Sequence, residues 1–458
     1  MSCPNTQKIS LTVTNCRKGF RPFRGLGVQW DPYHVHPVTD AEWQTITDRV
    51  DAMRPAFVRL MIYAPSYCAG LDQNGAPIWR FDSSGVLALL RELDYLESRG
   101  IEVILGEWEA PGRFGGPFEG IDAGDPRWSR IIAGFLNYLV NEKKYTCIRY
   151  FNYINEANSE WSMCADWEKW RKGILSLYVE FERYGLSGRI GITGPDSVWD
   201  DGDAWIRDLV ADEALHERIS LYDIHMYPTI EDIRSGKVQE MIACNHSIAP
   251  DKDFYMTEVG MLTGKTMGDS QPNVRTYPYG VIMADVAAQV INGGLNALSI
   301  WDLDDAMHNQ HNEYPKEDIR SLKLWGFFNS VAGRVFHQPE EEKLRPHFFT
   351  WSMMCRLFRP GSEVLDVGGD PCGLRTVAML DPEGRLQLML VNHGESGAEV
   401  KCALPVNDNA TFVYYVYREK EGRTDAKGYP LPEGSLQPKN SRINLSLSPM
   451  QVVFLTQK

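Results

Sequence analysis

Short apolar runs alternate with longer amphipathic stretches from about residue 23 to residue 330, and this alternation constrains the fold more than any other feature. Parallel strands that are buried on both faces form continuous apolar runs, whereas the helices that cover them place apolar residues three and four positions apart. Eight strands are predicted, at residues 25–29, 57–61, 102–105, 149–154, 191–193, 221–225, 254–256 and 297–301. The pattern predicts an α/β fold in which these strands close into a (β/α)8 TIM barrel.

The pattern changes after about residue 340 to short strands separated by Gly, Pro, Asp and Asn. Seven such strands predict a C-terminal all-β sandwich domain. The alternating run at residues 9–14 precedes the first barrel strand and is expected to add an edge strand to that sandwich. We therefore predict an N-terminal strand in residues 1–20, a catalytic barrel in residues 21–338 and a β-sandwich in residues 339–458.

Composition excludes several classes of partner. The formal charge is −14, and no cluster of Lys and Arg interrupts the acidic balance, which argues against a nucleic acid or an anionic membrane as partner. No apolar window reaches the roughly 18 residues of a membrane span, and nine scattered cysteines without a C-x-x-C motif suggest reduced thiols. We expect a cytoplasmic protein without a cofactor, or a secreted one if a signal peptide has been removed.

Two acidic residues follow two of the predicted strands. Glu156, preceded by Asn155, comes after the apolar run at 148–154, and Glu258 comes 102 positions later, after the run at 254–256. The active site of a (β/α)8 barrel lies at the carboxyl ends of its strands, so both side chains are expected at one barrel mouth. A retaining glycosidase uses such a pair of carboxyl groups, about 5 to 5.5 Å apart. The sequence thus predicts cleavage of a glycosidic bond.

The other residues at the predicted strand ends suit a carbohydrate. Sugars stack their C–H faces on indole rings and bond their hydroxyls to carboxylates, amides and guanidinium groups. The strand ends carry Gln29, Trp30 and Asp31, then Arg59, then Glu107, Trp108 and Glu109, then Asn155 and Glu156, then Asp196, then His225 and Tyr227, then Glu258, and last Trp301, Asp302, Asp304 and Asp305.

These motifs resemble those of clan A glycoside hydrolases. The resemblance rests on Arg59 after strand two, Asn155-Glu156 after strand four, His225-x-Tyr227 after strand six, Thr257-Glu258 after strand seven and Trp301 after strand eight. Within the clan the chain is most similar to families 30 and 39, in which a β-sandwich containing an N-terminal strand follows the barrel. Segments 106–114 and 359–362 are similar to the loop after strand three and to the entry into the sandwich of family 30. The resemblance covers nearly the whole chain.

Two departures from the family pattern concern the substrate more than the catalytic pair. The usual Asn-Glu-Pro is here Asn155-Glu156-Ala157, and Glu107 and Glu109 lie in a loop that more often contains Ser and Pro. The resemblance implies β-glycosides as substrates, and α-L-arabinofuranosides are also compatible with this clan.

The resemblance also implies roles for individual residues. Glu156 is the expected acid/base and Glu258 the expected nucleophile, and a nearby Arg59 is expected to keep Glu258 ionised. The expected substrate-binding residues are Arg59, Trp108, Asn155, His225, Tyr227, Trp301, Trp30 and Glu107. Trp161, taken singly, is interpreted as a packing residue.

Three alternatives stay open at the level of sequence. A metal-dependent amidohydrolase barrel would use His34, His36, His225 and Asp302 as ligands, although no His follows strand five and no Lys follows strand four. A noncatalytic carbohydrate-binding barrel would have the same fold and aromatic residues. The acidic run of Asp302, Asp304 and Asp305 could bind calcium, but such residues more often cap a helix or face solvent.

Overall fold

The computed structural model describes residues 6–198, 202–308, 322–369, 373–419, 424–426 and 429–458. Within these ranges the strands are β1 (Gln7–Arg17), β2 (Gly25–Gln29), β3 (Phe57–Ile62), β4 (Cys68–Leu71), β5 (Pro77–Trp79), β6 (Glu102–Glu107), β7 (Ile148–Asn152), β8 (Gly191–Val198), β9 (Ile219–Met226), β10 (Asp253–Val259), β11 (Ala297–Ile300), β12 (Glu363–Gly369), β13 (Leu374–Leu380), β14 (Leu386–Asn392), β15 (Ala398–Ala403), β16 (Phe412–Tyr417), β17 (Gly434–Leu436), β18 (Arg442–Leu447) and β19 (Gln451–Gln457).

The helices in the same ranges are α1 (Asp40–Met53), α2 (Ala64–Tyr67), α3 (Ser84–Arg99), α4 (Pro126–Asn137), α5 (Trp167–Tyr184), α6 (Gly202–Ala211), α7 (Glu213–Arg218), α8 (Ile230–Ser235), α9 (Lys237–Ile248), α10 (Tyr277–Gly293), α11 (Ala332–Phe336) and α12 (His347–Leu357). Helix α3 illustrates why they form: its apolar face is buried, Ser83 caps its first turn, and Gly100 ends it in the left-handed conformation.

Eight parallel strands close into a barrel in the order β2, β3, β6, β7, β8, β9, β10 and β11, with β11 pairing back to β2. Most of their residues are buried, because each strand faces the barrel interior on one side and a helix on the other. The predicted (β/α)8 barrel is confirmed.

The barrel interior changes from apolar to polar along the strands. Near their amino ends, five inward side chains form an apolar cluster: Phe57, Ile104, Leu221, Tyr255 and Ala297. Two positions further along the same strands, where side chains point to the same face, the residues are Arg59, Gly106, Asp223, Thr257 and Ser299. A dry apolar layer therefore supports a polar layer directly beneath the carboxyl ends of the strands.

The remaining long strands form one nine-stranded sheet in the order β17-β16-β19-β14-β13-β12-β1-β15-β18. Strand β1 pairs antiparallel with β12 and parallel with β15, so the N-terminal segment joins this sheet as predicted. The prediction that it is an edge strand is wrong, because it has a neighbouring strand on each side. Apolar side chains from β1, from β12 to β16 and from β18 and β19 enclose a second hydrophobic core. The predicted all-β domain after the barrel is confirmed.

Helix α10 joins the barrel to this sheet. Asp285 in the middle of α10 is fully buried and pairs with Arg375 on β13 at 3.2 Å and with His393 just after β14. At the start of the helix, the ring of Tyr277 stacks on Tyr417 of β16 with 4.8 Å between centroids. The interface thus combines aromatic stacking with a buried carboxylate that is paired with basic groups of the sheet.

Two further observations concern the predicted cellular context. No helix in the described part of the chain has both the length and the apolar character needed to cross a membrane. The seven cysteines within the described ranges all carry free thiols.

Candidate active site

A cleft of about 990 Å³ opens at the carboxyl ends of the barrel strands. Its walls include both predicted glutamates, and it is also lined by Trp108, Asn155, Tyr227 and Trp301 from the predicted binding set. Other lining residues come from the end of β8 and from the loops after β3, β9 and β10, and they include Tyr63, Val198, Leu262 and Lys265. The structure therefore brings residues from distant parts of the sequence to one barrel mouth.

Glu156 and Glu258 face each other across the floor of this cleft. One carboxylate oxygen of each lies within 4.8 Å of the other, and both lie within 4.8 Å of a ring nitrogen of His225. Carboxyl groups of retaining glycosidases lie about 5 to 5.5 Å apart, whereas those of inverting enzymes lie about 6.5 to 9.5 Å apart. The observed separation is on the retaining side of this division.

Arg59 is fully buried beneath the pair and organises it. Its Nη1 donates to Glu258 Oε2 and to Gln29 Oε1, both at 3.0 Å. Its Nη2 donates to Asp196 Oδ2 at 2.8 Å and to the side-chain oxygen of Asn155. Because the guanidinium plane fixes the directions of its N–H groups, one side chain aligns residues from four other strands or strand ends.

His225 forms the second bridge between these groups. Its Nε2 lies 3.0 Å from Asp196 Oδ1, and its Nδ1 lies 3.2 Å from Glu156 Oε1 and 3.7 Å from Glu258 Oε2. Burial alone would lower the pKa of His225, but the charges of Asp196 and Glu258 raise it to about 10. His225 is therefore an imidazolium at neutral pH and donates to carboxylates on both sides.

Asp196 provides the negative charge that balances this cation. Burial acts to raise the pKa of Asp196, but Arg59 and His225 outweigh burial and keep it well below its usual range. Thr257 donates a further hydrogen bond to Asp196 at 3.0 Å. Asp196 thus stays ionised beneath Glu156 and Glu258.

Opposing effects act on the ionisation of Glu258. Burial raises the pKa of Glu258, His225 and Arg59 lower it, and the net shift is upward. Arg59 therefore acts in the predicted direction, but it does not offset burial. The hydroxyl of Tyr227 donates to Glu258 Oε1 at 2.5 Å, so the carboxyl group accepts hydrogen bonds at both oxygens.

Three indole rings and an imidazole form the aromatic wall of the cleft. Trp108 lies edge-on to Trp301, with 5.6 Å between centroids, and His308 stacks on Trp301 at 4.9 Å. Trp161 lies further out, 6.5 Å from Trp108, and is 40% exposed. The wall offers apolar faces at several depths along one side of the cleft.

Trp30 and Glu107, which the sequence placed among the substrate-binding residues, lie outside the cleft. Trp30 is completely buried, stacks on Trp43 of α1 and donates its Nε1 proton to the Tyr33 hydroxyl. Glu107 lies behind β6, where it accepts a hydrogen bond from the Tyr67 hydroxyl. Burial raises the pKa of Glu107 well above its usual range, which makes it a neutral structural group.

The rival amidohydrolase ligand set is not assembled. His34 is exposed and its Nδ1 contacts the carbonyl oxygen of Pro32, His36 packs edge-on to Phe336, and Asp302 is buried. In the described ranges, the set of three ligand groups close enough to share a metal ion is Glu156, His225 and Glu258. Because both ring nitrogens of His225 bond to carboxylates and its pKa is about 10, His225 offers no free lone pair at neutral pH.

The acidic run after β11 has structural roles. Asp304 accepts hydrogen bonds from the backbone of Ala306 and Ser330, both at 2.9 Å. Asp305 pairs with Arg345 and accepts from the backbone N–H of Trp325. These contacts fix the segment after residue 322 against the barrel mouth.

Sequence reasoning missed three residues of the site. The sequence pattern identifies Asp196 only as a polar residue at a strand end, gives no indication of His308, and predicts Trp161 to be a packing residue. The signal for Asp196 is its position after Gly194-Pro195, which is a place where a strand bends. His308 and Trp161 lie on loops whose course the sequence pattern did not predict.

Neither a protein-family model nor a curated protein sequence matches this chain. Solved structures match it over its full length. A GH30 endoxylanase from Clostridium papyrosolvens C71 is 14% identical, with a TM-score of 0.67 over 98% of this chain and 99% of that chain. A GH39 β-xylosidase from Caulobacter crescentus is 15% identical, with a TM-score of 0.63 over 99% and 100%. A conserved exported protein from Bacteroides fragilis is 11% identical, with a TM-score of 0.70 over 98% and 100%.

The likeness is one of fold. The predicted similarity to families 30 and 39 is confirmed for the architecture, a barrel followed by a β-sandwich that includes the N-terminal strand.

Proposed function

We propose that this protein is a retaining glycoside hydrolase that uses Glu156 as acid/base and Glu258 as nucleophile. One observation carries the proposal: oxygens of the two carboxyl groups lie within 4.8 Å of each other in an open cleft. This separation leaves no room for a water molecule between the sugar and the second carboxylate, which an inverting enzyme requires. The GH30 endoxylanase and the GH39 β-xylosidase with the same fold support this class of reaction.

The reaction would proceed by double displacement. The Glu258 carboxylate attacks the anomeric carbon while Glu156 transfers its proton to the glycosidic oxygen, so the bond to the leaving group breaks and a glycosyl ester forms on Glu258. Glu156, now ionised, takes a proton from water, and the resulting hydroxide cleaves the ester. The sugar leaves with retained configuration, and both carboxyl groups return to their starting states.

The surrounding residues have consistent roles in this scheme. Arg59 and Tyr227 bond to Glu258 and would align its attacking oxygen. Asn155 would bond the sugar 2-hydroxyl, since its side-chain oxygen is already fixed by Arg59 and its amide group is left to donate. Trp301 and Trp108 would form the apolar side of the glycone subsite.

The substrate is proposed to be a neutral β-linked glycoside or short oligosaccharide, with α-L-arabinofuranosides as the second candidate. The aromatic wall favours the C–H faces of a pyranose or furanose ring. No cofactor enters the scheme.

A screen of aryl glycosides tests the function directly. The panel contains β-glucose, β-xylose, β-galactose, β-fucose and α-L-arabinofuranose, and the wild-type protein is expected to release the aryl alcohol from at least one of them. Proton NMR of the first product should show the same anomeric configuration as the substrate. Binding of sugars without hydrolysis of any glycoside, including longer oligosaccharides, would instead favour the noncatalytic carbohydrate-binding barrel.

A further inference from the structure

Trp161 contacts the proposed acid/base directly. It lies on the loop between β7 and α5, and its Nε1 donates to Glu156 Oε2 at 2.8 Å. The side chain is 40% exposed and lines the cleft. An indole that is both bonded to a reacting group and open to solvent is not explained by packing.

The two oxygens of Glu156 face different surroundings. Oε1 faces His225, whose ring nitrogen is also close to Glu258, so this oxygen points toward the nucleophile. Oε2 accepts the Trp161 N–H, so it lies on the side of the cleft where the exposed indole stands. A leaving-group oxygen that approaches from solvent would therefore meet Oε2.

The hydrogen bond from Trp161 opposes the acid role while the cleft is empty. A hydrogen bond donated to a carboxylate favours its ionised form, whereas the first chemical step needs a proton on Glu156. The titratable groups facing Glu156 are His225 on β9, Tyr227 after that strand and Glu258 on β10. Unlike these three neighbours, Trp161 is exposed enough for a substrate to displace its hydrogen bond to Glu156.

The loop fixes Trp161 in this position. Glu156, Met163 and Ala165 have φ values of 46°, 63° and 45°, a conformation that residues other than glycine rarely adopt. The backbone of Ser162 accepts from Ala110 at 3.1 Å, and Ala165 donates to Ala157 at 2.9 Å. A loop constrained in this way presents the indole in one orientation.

We infer that Trp161 couples binding of the leaving group to protonation of Glu156. In the empty cleft the indole N–H bonds to the carboxylate. When a sugar ring of the leaving group stacks on the exposed indole face, the glycosidic oxygen replaces the N–H at Oε2, and the protonated form of Glu156 becomes favoured. Trp161 is then a positioning residue and also the platform of the leaving-group subsite. This inference rests on the proposed role of Glu156 as the acid.

Trp161→Phe removes the indole N–H and keeps an aromatic ring at this position. With a poor leaving group, the pH dependence of kcat/KM describes the free enzyme and that of kcat describes the enzyme–substrate complex. Loss of the N–H should shift the basic limb of the kcat/KM profile to higher pH by about 0.5 to 1 unit. The basic limb of the kcat profile should keep its position. Equal movement of both limbs, or of neither, would overturn the coupling.

Trp161→Ala removes the platform as well. We expect KM for a disaccharide or longer substrate to rise about tenfold, as for loss of one stacked ring, and kcat/KM for the corresponding glycosyl fluoride to change less than about twofold. Fluoride needs no proton and offers no ring to stack. An unchanged KM for the oligosaccharide would overturn the subsite.

Met163→Ala is the matched control, because Met163 lies on the same loop and is 45% exposed. Its two pH profiles should match those of wild type, and circular dichroism and thermal unfolding should be the same for all three variants. If wild type hydrolyses none of the glycosides, the proposed function fails and this inference fails with it. If wild type is active and the Trp161→Phe profile is unshifted, only the role of Trp161 is refuted.

Discussion

Replacing Asp223 by Asn tests the charge network beneath Glu156 and Glu258. Asp223 points into the barrel from β9, and its Oδ1 accepts from the backbone N–H of Asp196 at 2.7 Å. Burial, together with the charge of Asp196, raises the pKa of Asp223 from 3.8 to about 8. At pH 7 this carboxyl group is neutral in the folded protein and ionised in the unfolded chain.

The sign of the resulting pH dependence follows from which state binds the proton. Between about pH 4 and pH 8 the folded state retains a proton that the unfolded state has released, so the free energy of unfolding falls as the pH rises. A shift of about 4 pKa units corresponds to at most about 6 kcal/mol, since each unit is 1.36 kcal/mol. Coupling of Asp223 to Asp196 and His225 spreads this energy over three groups, and about 2 to 4 kcal/mol is the expected share.

Asn keeps the shape of the side chain and the oxygen that bonds to Asp196, but it carries no charge. The variant should match wild type in thermal stability near pH 4 and exceed it by several degrees near pH 9. The assay is thermal unfolding followed by circular dichroism at five pH values, with the exposed Asp208→Asn as control. Stability curves of wild type and Asp223→Asn that stay parallel from pH 5 to pH 9 would refute the assignment of a neutral carboxyl group.

Four further predictions concern the reaction. Glu258→Ala should be inactive on every substrate unless azide or formate is supplied. Product analysis should then detect the glycosyl adduct of the added anion. Turnover at the wild-type rate without such an anion would show that Glu258 is not the nucleophile. Glu156→Ala should still cleave a dinitrophenyl glycoside, and azide should accelerate its turnover, whereas a purely structural Glu156 predicts wild-type rates on natural substrates. Activity should survive EDTA, and loss on chelation with recovery on adding zinc would favour the metal-dependent alternative. His225→Gln removes a cation that lowers the pKa of Glu258. The apparent pKa of the acid limb in the pH profile of kcat/KM should therefore increase by about one unit. An unchanged apparent pKa would contradict the electrostatic role of His225.

The sequence was sufficient to predict the barrel because its strands are buried on both faces and their apolar runs are continuous. Because both faces of these strands are buried, the sequence does not show which side chains point into the barrel. In β6, Gly106 faces the barrel interior and Glu107 faces the helix side, yet both follow the same apolar run. In the same way, Trp30 comes directly after Gln29 but packs behind the barrel against Trp43, whereas Gln29 bonds to Arg59 inside it.

The loops of the site were the least predictable part. The position of Trp161 depends on a backbone with three positive φ values at residues other than glycine, and no local propensity indicates such a conformation. The hairpin of β4 and β5 and the short strand β17 were likewise not predicted, since three or four residues give too little alternation to recognise.

The junction at α10 has a consequence for how the molecule can be divided. Asp285 receives both of its basic partners, Arg375 and His393, from the β-sheet that follows the barrel. A barrel truncated before residue 363 would keep this carboxylate in an apolar helix packing surface with no counter-charge, a defect of several kcal/mol. Limited proteolysis between the two halves should therefore cause loss of the whole fold instead of releasing an autonomous barrel fragment. Engineering by domain exchange would have to transfer α10 together with the sheet.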